Sequence, residues 1–209
     1  MASPWSWDAA VGRYRDSAGK YLARDQVLAM ANEYIGISAN VGDGLASLAA
    51  SGKLSAADFG LLARAEIKQD YLTQYMLGIG GRDQMTPSDW GTVGRQLRDQ
   101  YGYMDGFVKD LADGKLTEAQ IQARMRMYVN ASREAYEKAA EKSAKKAGFT
   151  EEKWTVDTSL ENCPDCLAYQ AEGWQEIGYF PEPGSGETQC LSNCGCYKSY
   201  RNPDTGETY

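Results

Sequence analysis

All five cysteines of the 209-residue chain lie at or beyond position 163, in two groups: Cys163-Pro-Asp-Cys166, and Cys190-Leu-Ser-Asn-Cys194-Gly-Cys196. The groups are separated by 23 residues. Two sets of closely spaced thiols joined by a loop have the layout of a metal clip or a disulfide clip. The flanking segment carries too little apolar sequence to hold itself together by burial, so the cross-link is expected to fold it. This divides the chain into a part that folds through its own core and a small module that folds around sulfur.

The charge distribution supports that division. Residues 1–150 carry 19 basic and 18 acidic side chains, for a net +1, whereas residues 151–209 carry 3 and 11, for a net −8. We therefore expect a helical domain over 1–150 and an acidic, cysteine-rich module over 151–209. Four thiolates around one zinc would add about two further negative charges to that module. Such a surface repels phosphate backbones, which argues against a nucleic-acid reader. The chain contains no histidine, the commonest general base and metal ligand. No run approaches 18 apolar residues, so no membrane span is expected. The N-terminus has neither a basic nor an apolar signal region, which implies folding in a reducing cytosol, where metal-binding cysteines outnumber structural disulfides.

The first 150 residues read as helical, with helices expected over about 5–18, 21–36, 56–77, 87–112 and 118–147. Two starts share one mechanism. Gly52-Lys53-Leu54-Ser55-Ala56-Ala57-Asp58-Phe59 recurs as Gly114-Lys115-Leu116-Thr117-Glu118-Ala119-Gln120-Ile121. Ser55 and Thr117 suit the N-cap, Asp58 and Gln120 close the capping box, and each leucine can staple to Phe59 or Ile121. Thr86-Pro87-Ser88-Asp89 marks a further start, with proline at the first helical position. Gly78, Gly80 and Gly81 are expected to break the chain after the third helix. Tyr71, Tyr75, Trp90, Tyr101, Tyr103 and Phe107 are expected in an aromatic core, with an exposed contact face as the alternative. Lys142, Lys145 and Lys146 suit the dipole of a solvated helix end, and Gly148 suits the residue after it. Beyond residue 150, Trp154-Thr155-Val156 reads as a short strand and Pro181, Pro183, Gly184 and Gly186 mark turns. The fold class is thus mainly α, a multi-helix region ending in a long helix, plus a small module with short β-strands of zinc-knuckle type.

In the module, Cys163 and Cys166 are expected to grip one ion from a tight turn fixed by Pro164. Cys190 with Cys194 or Cys196 closes a tetrahedral site and leaves one thiol over. Zinc, one ion per chain, is the first reading; two disulfides with a spare thiol, or free thiols, are the alternatives. A four-sulfur site has no open coordination position, so it is structural. A redox role for Cys-Pro-Asp-Cys needs the first cysteine exposed at a helix N-terminus, whereas here the motif follows a polar loop. Trp154, Trp174 and Tyr179 are expected to cover the clip.

Arg124-Met125-Arg126-Met127-Tyr128, a long helix ending at Gly148, Trp154, the Cys-x-x-Cys pair, Pro183-Gly184 and Thr188-Gln189-Cys190…Asn193-Cys194-Gly195-Cys196 form an ordered run. Over about residues 114–201 this run resembles the C-terminal region of tailed-bacteriophage minor head proteins of the Mu F-like head-morphogenesis group. Many members end in a His-Pro-x-Cys-Arg-Cys element; here Cys190 stands near the histidine position and Gly195 replaces the arginine. The resemblance implies a non-enzymatic virion component, made in the host cytoplasm, acting in head assembly beside portal or capsid proteins or its own copies. Two other functions compete: a thiol-redox enzyme, and a zinc-knuckle regulator that binds nucleic acid.

Overall fold

The computed structural model describes residues 5–209, and the protein is mainly α-helical with two small antiparallel sheets. Helix α1 spans Arg24–Ala50, α2 Ala56–Ile79, α3 Pro87–Ala112, α4 Glu118–Ala131 and α5 Arg133–Lys146. The expected caps are in place. The backbone N–H of Asp58 donates to Ser55 Oγ at 3.1 Å, and the N–H of Thr117 donates to Gln120 Oε1 at 2.9 Å. Asp89 closes the third start by accepting from the Thr86 N–H at 2.8 Å. Each bond satisfies a donor that the first turn leaves open.

Helix α2 is the hub and packs against α1, α3 and α5. Phe59, Ala63, Ile67, Tyr71 and Tyr75, four residues apart, are all buried. Gly78 lies inside α2 and permits a close crossing, where the sequence had suggested a break: a Cβ there would sit 2.4 Å from the Tyr136 carbonyl oxygen and 2.8 Å from Ala139 Cβ. The helix ends two residues later at Gly80, in the left-handed region at φ 95°. Of the expected aromatic core, Tyr71, Tyr75 and Phe107 are buried and Tyr101 partly so, but Tyr103 and Trp90 face solvent.

Three helix expectations need correction. The helix expected over 21–36 continues to Ala50 as α1, whose C-terminal half packs on α4 with Gly42 against Met125. Residues 5–18 form a hairpin, with β1 (Ser6–Asp8) paired to β2 (Arg13–Arg15). Its hold is tertiary: the Trp7 ring fills the space over Gly80, and Tyr14 Oη donates to the Leu77 carbonyl at 2.9 Å. Asp8, accepting from Arg15 and Tyr21 at 2.8 Å each, pins the strands from outside. The long helix over 118–147 is interrupted at Ser132, whose hydroxyl bonds back to the Val129 carbonyl at 2.6 Å. Such local bonds compete with the helical ladder and bend it. The interruption lets α4 pack on α1 while α5 packs on α2. Residue 148 matches expectation: Gly148 ends α5 at φ 90°, and the Phe149 N–H reaches the Ala144 carbonyl at 3.1 Å.

Beyond α5 the chain forms β3 (Glu151–Thr155), α6 (Pro164–Glu172), β4 (Trp174–Glu176) and β5 (Tyr197–Arg201), in the sheet order β4-β3-β5. The inward row of β3 and β5 is Glu152, Trp154, Lys198 and Tyr200, each 0% exposed. Tyr200 and Phe149 share a core with Leu22, Val27, Tyr136 and Ala140, so the module is seated on α1 and α5. A buried ionic array sits at this seam. Lys198 Nζ lies 2.5 Å from Glu141 and 3.3 Å from Glu152. Arg24 reaches Glu137 at 3.4 Å and donates to the Lys198 carbonyl at 3.0 Å. Of the terminal lysines expected in solvent, Lys145 pairs with Glu141 and Lys142 with the buried Asp89.

Asp70 carries an electrostatic cost on α2. Burial pushes its carboxyl up to about 7, although the Ser38 hydroxyl donates to it. A carboxyl raised in the folded state favours folding fully below its unfolded value, and that contribution is lost as pH rises through the folded one. Between about pH 4 and 7 this residue should therefore erode stability as pH rises. Asp70→Asn is expected to flatten that slope and to raise the urea midpoint at pH 8. An unchanged slope would rule the assignment out.

Candidate metal centre

The two cysteine groups meet. Cys163 is the N-cap of α6, Pro164 occupies the first helical position, and Cys166 sits in the first turn. The pair is therefore presented by a helix start instead of the expected tight turn. The second group is carried by a short 3-10 turn at Leu191–Asn193. Leu191 adopts φ 52°, the one non-glycine residue in the left-handed region among those described. That strain is held by backbone bonds from Leu191 to Thr188 at 2.8 Å and from Asn193 to Cys190 at 3.0 Å. Asp165 bolts the groups together, accepting from the Gln189 N–H at 2.8 Å and its side-chain amide at 3.2 Å. Asn130 on α4 donates to Asn193 at 2.8 Å and ties the turn to the helical body.

Cys166 is the common centre. Its sulfur lies 3.7 Å from both Cys190 and Cys194. Cys163, Cys166 and Cys190 form one set with sulfurs within 4.8 Å of each other, and Cys166, Cys194 and Cys196 form another. All five are free thiols, with Cys166, Cys194 and Cys196 buried and Cys163 and Cys190 partly so. Such a cluster can hold a metal ion. Cys194 and Cys196 both reach Cys166, as the competition for a fourth position requires, but both precede β5 and neither lies on a strand.

The surroundings favour thiolate at selected sulfurs. Cys196 is lowered to about 6 by donation from Cys194, against its own burial, with help from Cys166, the Trp154 indole and the Asp157 backbone. Cys163 is also lowered: burial opposes ionisation, but the backbone N–H groups of Cys166 and Cys190 outweigh it. Burial pushes Cys166 well up, as does its donation to Cys163 and Cys196. A bound cation would override that last effect, since coordination deprotonates a thiol.

The cover differs in part from expectation. Trp154 packs on Tyr169 at 5.2 Å and on Phe180 at 6.1 Å, closing a small core over Cys166, Cys194 and Cys196. Trp174 instead lies on the outer sheet face beneath Arg201, and Tyr179 is mostly exposed. At Gly195 the tip of Leu160 occupies the space a side chain would take, since a Cβ would meet its Cδ1 at 2.3 Å. Sequence reasoning placed Asp165, Thr188 and Gln189 within its motifs but assigned them no role at the site. Thr188 Oγ1 stands 3.1 Å from Cys190 Sγ, and only the spacing of polar residues beside each cysteine group could have drawn notice to such residues.

Comparison of the chain with family models, curated proteins and solved structures finds no match.

Proposed function

We propose that the protein is a structural component of a tailed-phage particle, of the minor-head type, and that one zinc ion bound by four thiolates braces its C-terminal module. The observation that supports this is the convergence of sulfur on Cys166 at 3.7 Å. Sulfurs about 2.3 Å from a tetrahedral zinc stand about 3.8 Å apart, whereas a disulfide needs about 2.05 Å. Cys163, Cys166 and Cys190 supply three ligands, and Cys194 or Cys196 the fourth. A site closed by four sulfurs leaves no position for substrate, so its work is construction and not turnover.

The partners in this reading are portal or capsid proteins, or further copies of the chain. Exposed Tyr34, Ile37, Val41 and Leu48 along α1, and Leu61 and Leu62 on α2, offer apolar contact surface for them. The expected setting is the host cytoplasm during assembly and the virion afterwards. Mass spectrometry of purified particles should detect the chain in limited copies; its absence from particles would end this reading.

Thiol-disulfide exchange is the second reading, favoured by one observation: Cys163 caps a helix and is partly exposed. Three further thiols crowding the pair weigh against it, because exchange works with two. Catalytic turnover of a small disulfide by the metal-free protein would support it.

A further inference from the structure

A second site lies on the outer face of the three-stranded sheet, away from the sulfur cluster. The register sets Lys153 on β3 beside Ser199 on β5 and Trp174 on β4, one row across the sheet. Thr155 adds a hydroxyl 3.2 Å from that of Ser199. The N-terminal hairpin and the start of α1 close the far side with Arg13 and Arg24, enclosing a groove of about 420 Å³. Three cationic side chains and no acidic one line it.

The positive charge there is only partly compensated. Lys153 forms no ion pair among the described residues. Arg13 donates to the Leu22 carbonyl at 3.3 Å, and among the described residues its one carboxylate partner is Glu207, at 4.0 Å and half exposed. Arg24 spends its two Nη groups on Tyr136, Glu137 and the Lys198 carbonyl, while the Nε of both arginines is buried without a partner. Both guanidinium groups stack on the Tyr209 ring, at 5.5 and 5.2 Å, which fixes them at the groove floor. Unsatisfied buried donors are uncommon and call for an explanation.

The geometry points to a binding site for a small phosphate-type oxyanion, free or carried by a small molecule. Lys153, Arg13 and the hydroxyls of Ser199 and Thr155 supply direct donors, and Arg24 supplies field from beneath. Charge-assisted bonds of this kind suit phosphate oxygens. The ligand is small because its setting is acidic: the module carries −8, and Glu207 and Glu151 stand beside Arg13 and Arg201 at the margins. An extended polyanion would meet that repulsion along its length; a single phosphate would not. The site is independent of the metal reading, since none of its residues touches sulfur.

The test titrates the full-length, metal-loaded protein with inorganic phosphate and with adenosine monophosphate, followed by calorimetry and phosphorus NMR. Saturable binding at millimolar concentration or below is expected, weakened by added salt. Lys153→Gln, a partly exposed position, should fold normally and bind about tenfold more weakly, the loss of one charged hydrogen bond. No saturable binding, or equal binding by the variant, overturns the proposal. So does binding of a single-stranded oligonucleotide without binding of either small probe, which would identify a polymer groove.

Discussion

Cys166→Ser is expected to abolish metal binding and to unfold the C-terminal module. Cys166 is the only cysteine shared by both close sets of sulfurs, so no arrangement of the remaining four replaces it. Metal binding in a structural thiolate site contributes on the order of 10 kcal/mol to folding, comparable with the whole net stability of a domain. Elemental analysis of the reduced wild-type protein should find about one zinc per chain, as a closed tetrahedral site requires, and the variant none. Hydrogen exchange should show loss of protection over β3, α6 and β5, and Trp154 fluorescence should shift towards that of solvent. Chelation of the wild type should reproduce both changes. A metal-free protein with two disulfides and full protection would refute the zinc reading. Cys194→Ser and Cys196→Ser assign the fourth ligand: one should lose the ion and the other retain it.

The second large effect is expected at Lys198. It is 0% exposed and stands between Glu141 and Glu152, the latter also 0% exposed. Lys198→Met removes the cation and leaves two carboxylates facing each other in a dry seam. Breaking a buried pair from one side costs about 3–5 kcal/mol, because the stranded charge stays desolvated. Glu141 keeps Lys145 at 2.7 Å, so the penalty falls chiefly on Glu152. In the variant those carboxyls are raised in the folded state, so its stability should fall more steeply than the parent's as pH rises from about 4 to 8. Adding Glu152→Gln should recover much of the loss. Urea unfolding of the three proteins at two pH values measures this, and a Lys198→Met protein as stable as the parent would refute it.

What could be foreseen from sequence divides by range. The helix starts at Ser55, Thr86 and Thr117 were legible because cap, partner and staple lie within five residues of each other. The thiol groups were legible because cysteine spacing is itself the chemistry. The hairpin at residues 6–15 was not, since its Trp7 and Tyr14 find their partners on the end of α2. Lys198 was equally hidden. A lysine in a strand reads as solvent-facing, and only the arrival of acids from α5 and β3 makes an inward position tenable. The interruption at Ser132 turns on a single hydroxyl bond, below the resolution of any periodicity count.

The bond from Arg24 to the Lys198 carbonyl joins residues 174 positions apart. On the ribosome, α1 emerges long before the strand that completes its first turn. Helices α2 and α3 meet as neighbours while synthesis continues, but the arginine, and the tyrosines stacked around it, must wait for nearly all the rest of the polypeptide. A nascent chain stalled short of β5 would therefore hold a formed helical hairpin with an unfinished socket at one end, open to chaperones and proteases until the last strand arrives.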